Sequence, residues 1–150
     1  MSSDAISLRA AGPGDLPGLL ELYQVLNPSD PELTTQEAGA VFAAMLAQPG
    51  LTIFVATENG KPVATATLLI VPNLTRAARP YAFIENVVTL EARRGRGYGR
   101  TVVRHAIETA FGANCYKVML LTGRHDPAVH AFYESCGFVQ NKTGFQIRQD

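Results

Sequence analysis

The sequence predicts a single mixed α/β domain spanning residues 1–150. Three observations predict it. Segments of helical period alternate with segments rich in β-branched and aromatic residues along the whole chain. Asn59-Gly60, the dipeptide of a two-residue hairpin, joins two of the strand-like segments. A length of 150 residues fits one domain, and no linker, repeat or low-complexity stretch divides it.

The elements follow in order. Ile6 to Arg9 reads as a short strand that ends in Gly12-Pro13-Gly14. Leu16, Leu19, Leu20, Tyr23 and Leu26 recur at helical spacing, and Asn27-Pro28-Ser29-Asp30-Pro31 breaks that helix. Thr34 and Glu37 have capping-box spacing and open a second helix, with Ala38, Val41, Phe42, Met45 and Leu46 on one face. Gln48-Pro49-Gly50 stops it. Leu51 to Thr57 and Lys61 to Val71 are the strands of the hairpin, and Pro72 to Pro80 is a polar loop. Tyr81 to Leu90 is the next strand, followed by a glycine- and arginine-rich loop. A third helix carries Val102, Val103, Ala106, Ile107, Ala110 and Phe111. Tyr116 to Leu121 is almost continuously apolar, as in a strand buried on both faces. Asp126 and Pro127 supply the N-cap and first-turn proline of a fourth helix, whose inner face is Val129, Phe132, Tyr133 and Cys136 and whose stop is Gly137. Phe138-Val139 and Gly144 to Arg148 are expected to close the sheet.

Composition narrows the function. Thirteen basic residues balance thirteen acidic ones, so there is no global attraction to nucleic acid or to an anionic membrane. No apolar run reaches the length of a membrane-spanning helix. Met1 to Ala11 lacks a basic segment followed by an apolar one, so no signal peptide is read. Cys115 and Cys136 show no metal-ligand spacing and are expected as two reduced, buried thiols in a cytoplasmic protein that holds no metal.

The chemistry concentrates in Arg93-Arg94-Gly95-Arg96-Gly97-Tyr98-Gly99-Arg100, between a predicted strand and a predicted helix. Alternate glycines allow a tight turn with successive N–H groups pointing inward, and the following helix offers unpaired amides and the positive end of its dipole. The arginines suit a pyrophosphate, which guanidinium binds through charge-assisted hydrogen bonds. A Walker loop would need Lys followed by Ser or Thr, and the dinucleotide fingerprint needs Gly-x-Gly-x-x-Gly; this loop has neither. RNA-binding arginine-glycine stretches are usually disordered tails, whereas this one lies between ordered elements.

Arg94-x-x-Gly97-x-Gly99, after a strand and opening a helix, resembles the acetyl-CoA signature of the GNAT acyltransferase superfamily. Glu85-Asn86-Val87-Val88-Thr89 sits where that family has its bulged fourth strand, and Cys115-Tyr116-Lys117-Val118-Met119-Leu120 where it has its fifth. Ala131-Phe132-Tyr133-Glu134-Ser135-Cys136-Gly137-Phe138 resembles the family's fourth helix and the strand after it. Within the superfamily the C-terminal half is most similar to the glucosamine-6-phosphate N-acetyltransferases, which also end in a Gln-Ile-Arg-like strand, here Gln146-Ile147-Arg148. Two departures fall near the acceptor site. The relatives' acidic pair is Glu85-Asn86 here, and their Leu-Asp after the fifth strand is replaced by Leu121-Thr122-Gly123 and a longer loop through Arg124, His125 and Asp126.

The resemblance implies a mixed, mostly antiparallel sheet of six to seven strands flanked by four helices, with the fourth and fifth strands splayed to admit pantetheine. It implies acetyl-CoA as co-substrate and acetyl transfer to a primary amine of a small molecule, such as an amino-sugar phosphate, by direct attack on the thioester. The cofactor-binding residues would be Val87, Val88, Thr89, Arg93, Arg94, Gly95, Arg96, Gly97, Tyr98, Gly99, Arg100 and Thr101. A main-chain amide near Val88 would face the thioester oxygen. Glu85 is the candidate general base, directly or through water, because it interrupts an otherwise apolar strand; a Glu on the polar side of a half-exposed strand would read the same. Tyr133 is the candidate acid for the CoA sulfur, or a structural tyrosine at the rim of its helix. Asn86, Thr122 and Arg148 are the substrate-binding candidates, Arg148 for an acceptor phosphate across a dimer interface or else a plain exposed arginine. His125 and His130 flank the fourth helix's start, near substrate or on the surface, and His105 is read as surface. The open final strands suggest a homodimer by edge pairing or strand exchange. The alternatives are a protein or peptide N-acetyltransferase and a regulatory module that binds CoA without turnover.

Overall fold

Asn59 and Gly60 both have positive φ, 52° and 81°, as a two-residue hairpin turn requires. They join β2 (Leu51–Glu58) to β3 (Lys61–Val71), and this hairpin is the centre of the sheet. In the computed structural model, which describes residues 6–149, β1 (Ile6–Ala10), β4 (Tyr81–Thr89) and β5 (Val118–Met119) complete a sheet of order β1-β2-β3-β4-β5. All neighbours pair antiparallel except β4 and β5, which are parallel.

Side chains alternate between two cores. Phe54 and Ala56 of β2 join Val63, Ala64, Leu68, Ala82 and Ile84 against Val102, Val103, Ala106 and Ala110 of α4 (Tyr98–Gly112). Ile53 and Val55 face the other way, against Leu16, Leu19 and Leu22 of α1 (Leu16–Leu26) and Ala38 and Phe42 of α2 (Thr35–Ala47). The sheet is thus covered on both faces, and the continuous buried runs are Ile53 to Thr57 and Pro62 to Leu68.

Local chemistry sets the helix ends. The Thr34–Glu37 capping box forms at the start of α2, with Glu37 N–H donating to Thr34 Oγ1 at 3.1 Å and Thr34 N–H donating to Glu37 at 2.9 Å. Asp126 accepts from Ala128 N–H at 2.9 Å and caps α5 (Pro127–Ser135). A 3-10 turn, Pro13–Asp15, leads into α1. Buried Asp15 takes both Arg9 guanidinium nitrogens, at 2.6 and 3.0 Å, and the Gly12 N–H at 2.8 Å, which ties β1 to that turn. The Arg9 hydrogen bonds hold the Asp15 carboxyl below the usual carboxylate range.

Among the described residues the sheet has five strands, not the six to seven expected. Phe138-Val139 and Gly144 to Arg148 form no strand among the described residues; Val139, Phe145 and Ile147 are exposed. With no strand beyond it among the described residues, β5 is an edge, which explains why Tyr116 to Leu121 are half-buried or exposed; its pairing stops at two residues because β4 parts from it ahead of the bulge. The four expected helices are present, and a fifth short turn, α3 (Thr75–Ala78), lies in the Pro72–Pro80 segment read as loop, with Arg76 and Ala77 in left-handed conformation. Among the described residues no helix is long and apolar enough to cross a membrane.

Candidate active site

The site begins with an irregularity in β4. Thr67 pairs with Glu85, but Thr65 pairs with Val88, so one residue of β3 faces both Asn86 and Val87. Asn86 accommodates this bulge with φ 54°. The extra residue reverses the facing of the strand beyond it. Ala82 and Ile84 face the α4 layer; after the bulge Val87 does, and Val88 turns to the α1–α2 layer.

The same strand parts from its neighbour just before the bulge. Pairing with β5 consists of Ala82 with Val118 and Phe83 with Met119. Beyond it a cleft of about 910 Å³ opens between Ile84–Thr89 on one side and Leu120–Gly123 on the other. Parallel strands that separate this way leave one edge of β4 without a ladder partner, so its main-chain groups are available to a ligand.

One end of the cleft is the glycine–arginine loop. A 3-10 turn, Glu91–Arg93, leads from β4 into it, and Gly97 ends it as the N-cap of α4 with φ 85°. No side chain caps this helix end, which leaves its first amides unpaired and facing outward. Gly99 lies so close to β4 that a Cβ there would come within 2.9 Å of Thr89 Oγ1. Arg93, Arg94, Gly95, Gly97, Tyr98, Gly99 and Arg100 all line the cleft. Arg96 and Thr101 do not. Arg96 is exposed, and the Thr101 hydroxyl is spent on the Gly97 carbonyl at 2.8 Å, one turn back along the helix.

The other end gathers Glu85, Asn86, Thr122, Arg124, Tyr133 and Arg148. Glu85 and Asn86 are exposed to the cleft rather than enclosed. Tyr133 is half-buried, its ring edge-on to Phe132 and Phe138 at centroid distances of 5.1 and 6.1 Å. Burial raises its phenol above the ordinary tyrosine value; the nearby Cys136 and Glu85 add to that, and Arg124 opposes it. Tyr133 therefore stays protonated at neutral pH and can donate a proton.

Of the histidines, His130 is tied by Nε2 to the Arg124 carbonyl at 3.0 Å, His125 is exposed, and His105 stacks edge-on against Phe54 at 4.9 Å. None of the three lines the cleft. Arg124 and Asp126 line the cleft from the loop after β5, where the sequence departs from its relatives near the acceptor site, although neither is a named candidate there. Sequence reasoning missed Leu26 and Asn27, where α1 ends at the cleft, for which the helix-breaking Asn27-Pro28 was the available signal. A second hollow of about 750 Å³ adjoins the cleft at Leu26, Asn27 and Asn86, and its polar lining includes Glu21, Asp30 and Glu32.

Comparison with known proteins agrees with this geometry. The model of the acetyltransferase (GNAT) family matches residues 19–138. A probable glucosamine 6-phosphate N-acetyltransferase 2 of Oryza sativa subsp. japonica is 37% identical over 115 residues, covering 73% of this chain and 68% of that protein. The glucosamine 6-phosphate N-acetyltransferase of Trypanosoma brucei brucei is 31% identical over 135 residues, covering 89% of this chain and 88% of that protein. The crystal structure of glucosamine-6-phosphate N-acetyltransferase from Arabidopsis thaliana superposes with a TM-score of 0.87 at 25% identity, covering 98% of this chain and all of that one. With its bulged fourth strand, its splayed partner and its glycine–arginine loop, the chain belongs to the GNAT acetyltransferase family, and it is an acyltransferase.

Proposed function

We propose that the protein transfers the acetyl group of acetyl-CoA to the primary amine of an amino-sugar phosphate. The observation that carries this is the single cleft that joins an uncapped, arginine-lined helix start to the open edge of a bulged strand. The uncapped start of α4, with Arg94 and Arg100, suits the pyrophosphate. The open edge of β4 over Val87–Thr89 suits the pantetheine amides. Leu90 N–H donates to Val63 O at 2.9 Å, and an antiparallel ladder alternates its donors, so Val88 N–H turns toward β3 and Thr89 N–H toward the cleft. The Thr89 amide, next to Val88, is accordingly the donor to the thioester oxygen. Glu85 takes the amine proton, through water in a cleft this open, and Tyr133 protonates the departing sulfur. The named activity of the rice and trypanosome relatives supports the acceptor, and Arg124 and Arg148 at the acceptor end supply charge for its phosphate.

A second acceptor class rests on the adjoining hollow. Asp30 and Glu32 line it, beside Glu21 that is paired with Lys61 at 3.3 Å, and would favour a cationic acceptor, a polyamine or a peptide amine. Thiol release with acetyl-CoA, measured over glucosamine 6-phosphate, glucosamine, spermidine and a lysine peptide, separates the two. Glucosamine 6-phosphate is expected to exceed glucosamine in kcat/KM by about tenfold or more, as a charge-assisted phosphate contact gives. A preference for spermidine or the peptide would replace the sugar-phosphate reading, and no turnover of any acceptor despite saturable acetyl-CoA binding would favour the regulatory module.

We also propose a homodimer in the cytoplasm, where two free, buried thiols fit a reducing compartment. The segment after α5, which meets the chain following β5 where Gly144 approaches Leu121, presents Phe145 at 92% and Ile147 at 99% exposure, and a second copy would cover both. Light scattering is expected to give twice the chain mass, and the double variant Phe145→Asp, Ile147→Asp a monomer; a monomeric wild type rejects the dimer.

A further inference from the structure

We propose that Glu58 is a positioning residue for the phosphate loop, which it holds in its binding shape before the cofactor arrives. Glu58 is the last residue of β2, on the far side of the hairpin, and its side chain is only 9% exposed. Its Oε2 accepts from Arg93 Nε at 2.9 Å and from the Tyr98 hydroxyl at 3.1 Å. Arg93 closes the 3-10 turn that enters the loop, and Tyr98 is the first residue of the helix that leaves it. One carboxylate oxygen thus ties both ends of Arg94–Gly97, a stretch from which Arg94, Gly95 and Gly97 line the cleft.

Electrostatics gives this contact a purpose. Arg93, Arg94, Arg96 and Arg100 crowd one turn, and without an anion they repel one another. Glu58 is the built-in counter-charge: hydrogen bonding from Arg93 holds its carboxyl below the usual range, with the Tyr98 hydroxyl and the charges of Arg93 and Arg96 acting in the same direction. Arg93 was expected from the sequence as a direct ligand of the pyrophosphate. With its Nε committed to Glu58, its part is to shape the loop, and the phosphate is left to Arg94, Arg100 and the backbone.

The inference rests on the acetyl-CoA reading, so its test compares two acetyl donors, acetyl-CoA and acetyl-pantetheine, which carries the same thioester and no phosphate. In Glu58→Gln the KM for acetyl-CoA is expected to rise about tenfold, the size of one lost charge-assisted hydrogen bond, with kcat within about twofold. Kinetics with acetyl-pantetheine are expected to match the wild type, a separation that general damage to the fold would not produce. Arg93→Gln should reproduce the effect, and the double variant should be no worse than either single one, because both break the same contact. Should Glu58→Gln fail to fold, Glu58→Asp, which keeps the charge and shortens its reach to Arg93 and Tyr98, carries the same comparison. Equal losses with both donors, additive losses in the double variant, or tighter acetyl-CoA binding in Glu58→Gln, as a freed Arg93 ligand would give, each overturn the role of Glu58. A wild-type protein that binds no acetyl-CoA overturns the transferase reading itself.

Discussion

Gly97→Glu is expected to weaken acetyl-CoA binding by about a hundredfold or more and leave the fold intact. Gly97 has φ 85° and is the N-cap of α4, a conformation that costs an L-residue about 1–2 kcal/mol. A domain with about 5–15 kcal/mol of stability tolerates that strain. A Cβ at this position meets no atom within 4 Å, so no clash adds to it. The new carboxylate, however, enters the place where the helix dipole and the loop arginines favour an anion. It would satisfy them itself and repel the pyrophosphate, and like charges brought together in a binding site cost several kcal/mol. Affinity is therefore expected to fall by about a hundredfold or more in a calorimetric titration, with the melting transition little moved. Gly97→Ala separates the causes, since it carries the strain without the charge and should lose about tenfold at most. Undiminished binding by Gly97→Glu would take the phosphate away from this loop.

That loop was legible in the sequence because its chemistry is local. Glycine spacing, the arginines beside it and the switch from strand to helical period all fall within a dozen residues, and the structure gathers most of them on one cleft. The hairpin at Asn59-Gly60 and the caps at Thr34 and Asp126 were legible for the same reason: each depends on backbone preferences of three or four neighbouring residues.

What the sequence hid depends on partners far along the chain. Arg93 looks like any other arginine of its loop, and only the approach of Glu58, 35 residues earlier, gives it a different task. The apolar pattern of Phe145 and Ile147 reads as a strand, yet a strand needs a neighbour, and within the described residues none pairs with it. Tyr116 to Leu121 was misjudged in the same way: apolar content reported hydrophobicity, while the number of paired residues was set by where β4 turns away at its bulge. Arg96 and Thr101 share the motif of the loop without lining the cleft: the charge of Arg96 acts on Glu58, and the helix takes up the Thr101 hydroxyl.

Tyr133→Phe is expected to lower kcat by about 10²–10⁴-fold, the range that removal of a general acid gives, and leave the KM for acetyl-CoA nearly unchanged. The ring contacts with Phe132 and Phe138 survive the substitution, so packing is kept and only the hydroxyl is lost. A proton is needed at the sulfur as the carbon–sulfur bond breaks, not while the cofactor binds, and this is why the loss should fall on kcat. The pH dependence gives a second, independent reading. Burial, then the neighbouring Cys136 and Glu85, raise the phenol above its ordinary value against the opposing pull of Arg124. An acid with a raised pKa is fully protonated below that pKa and is lost as pH rises through it. The alkaline fall of wild-type kcat attributable to this group should therefore lie above the ordinary tyrosine range and be missing from Tyr133→Phe. Arg124→Gln removes the charge that opposes this rise, and it should move that fall to still higher pH. Thiol release by Tyr133→Phe at the wild-type rate would leave Tyr133 a packing residue, and protonation of the sulfur would then fall to solvent or to the incoming amine.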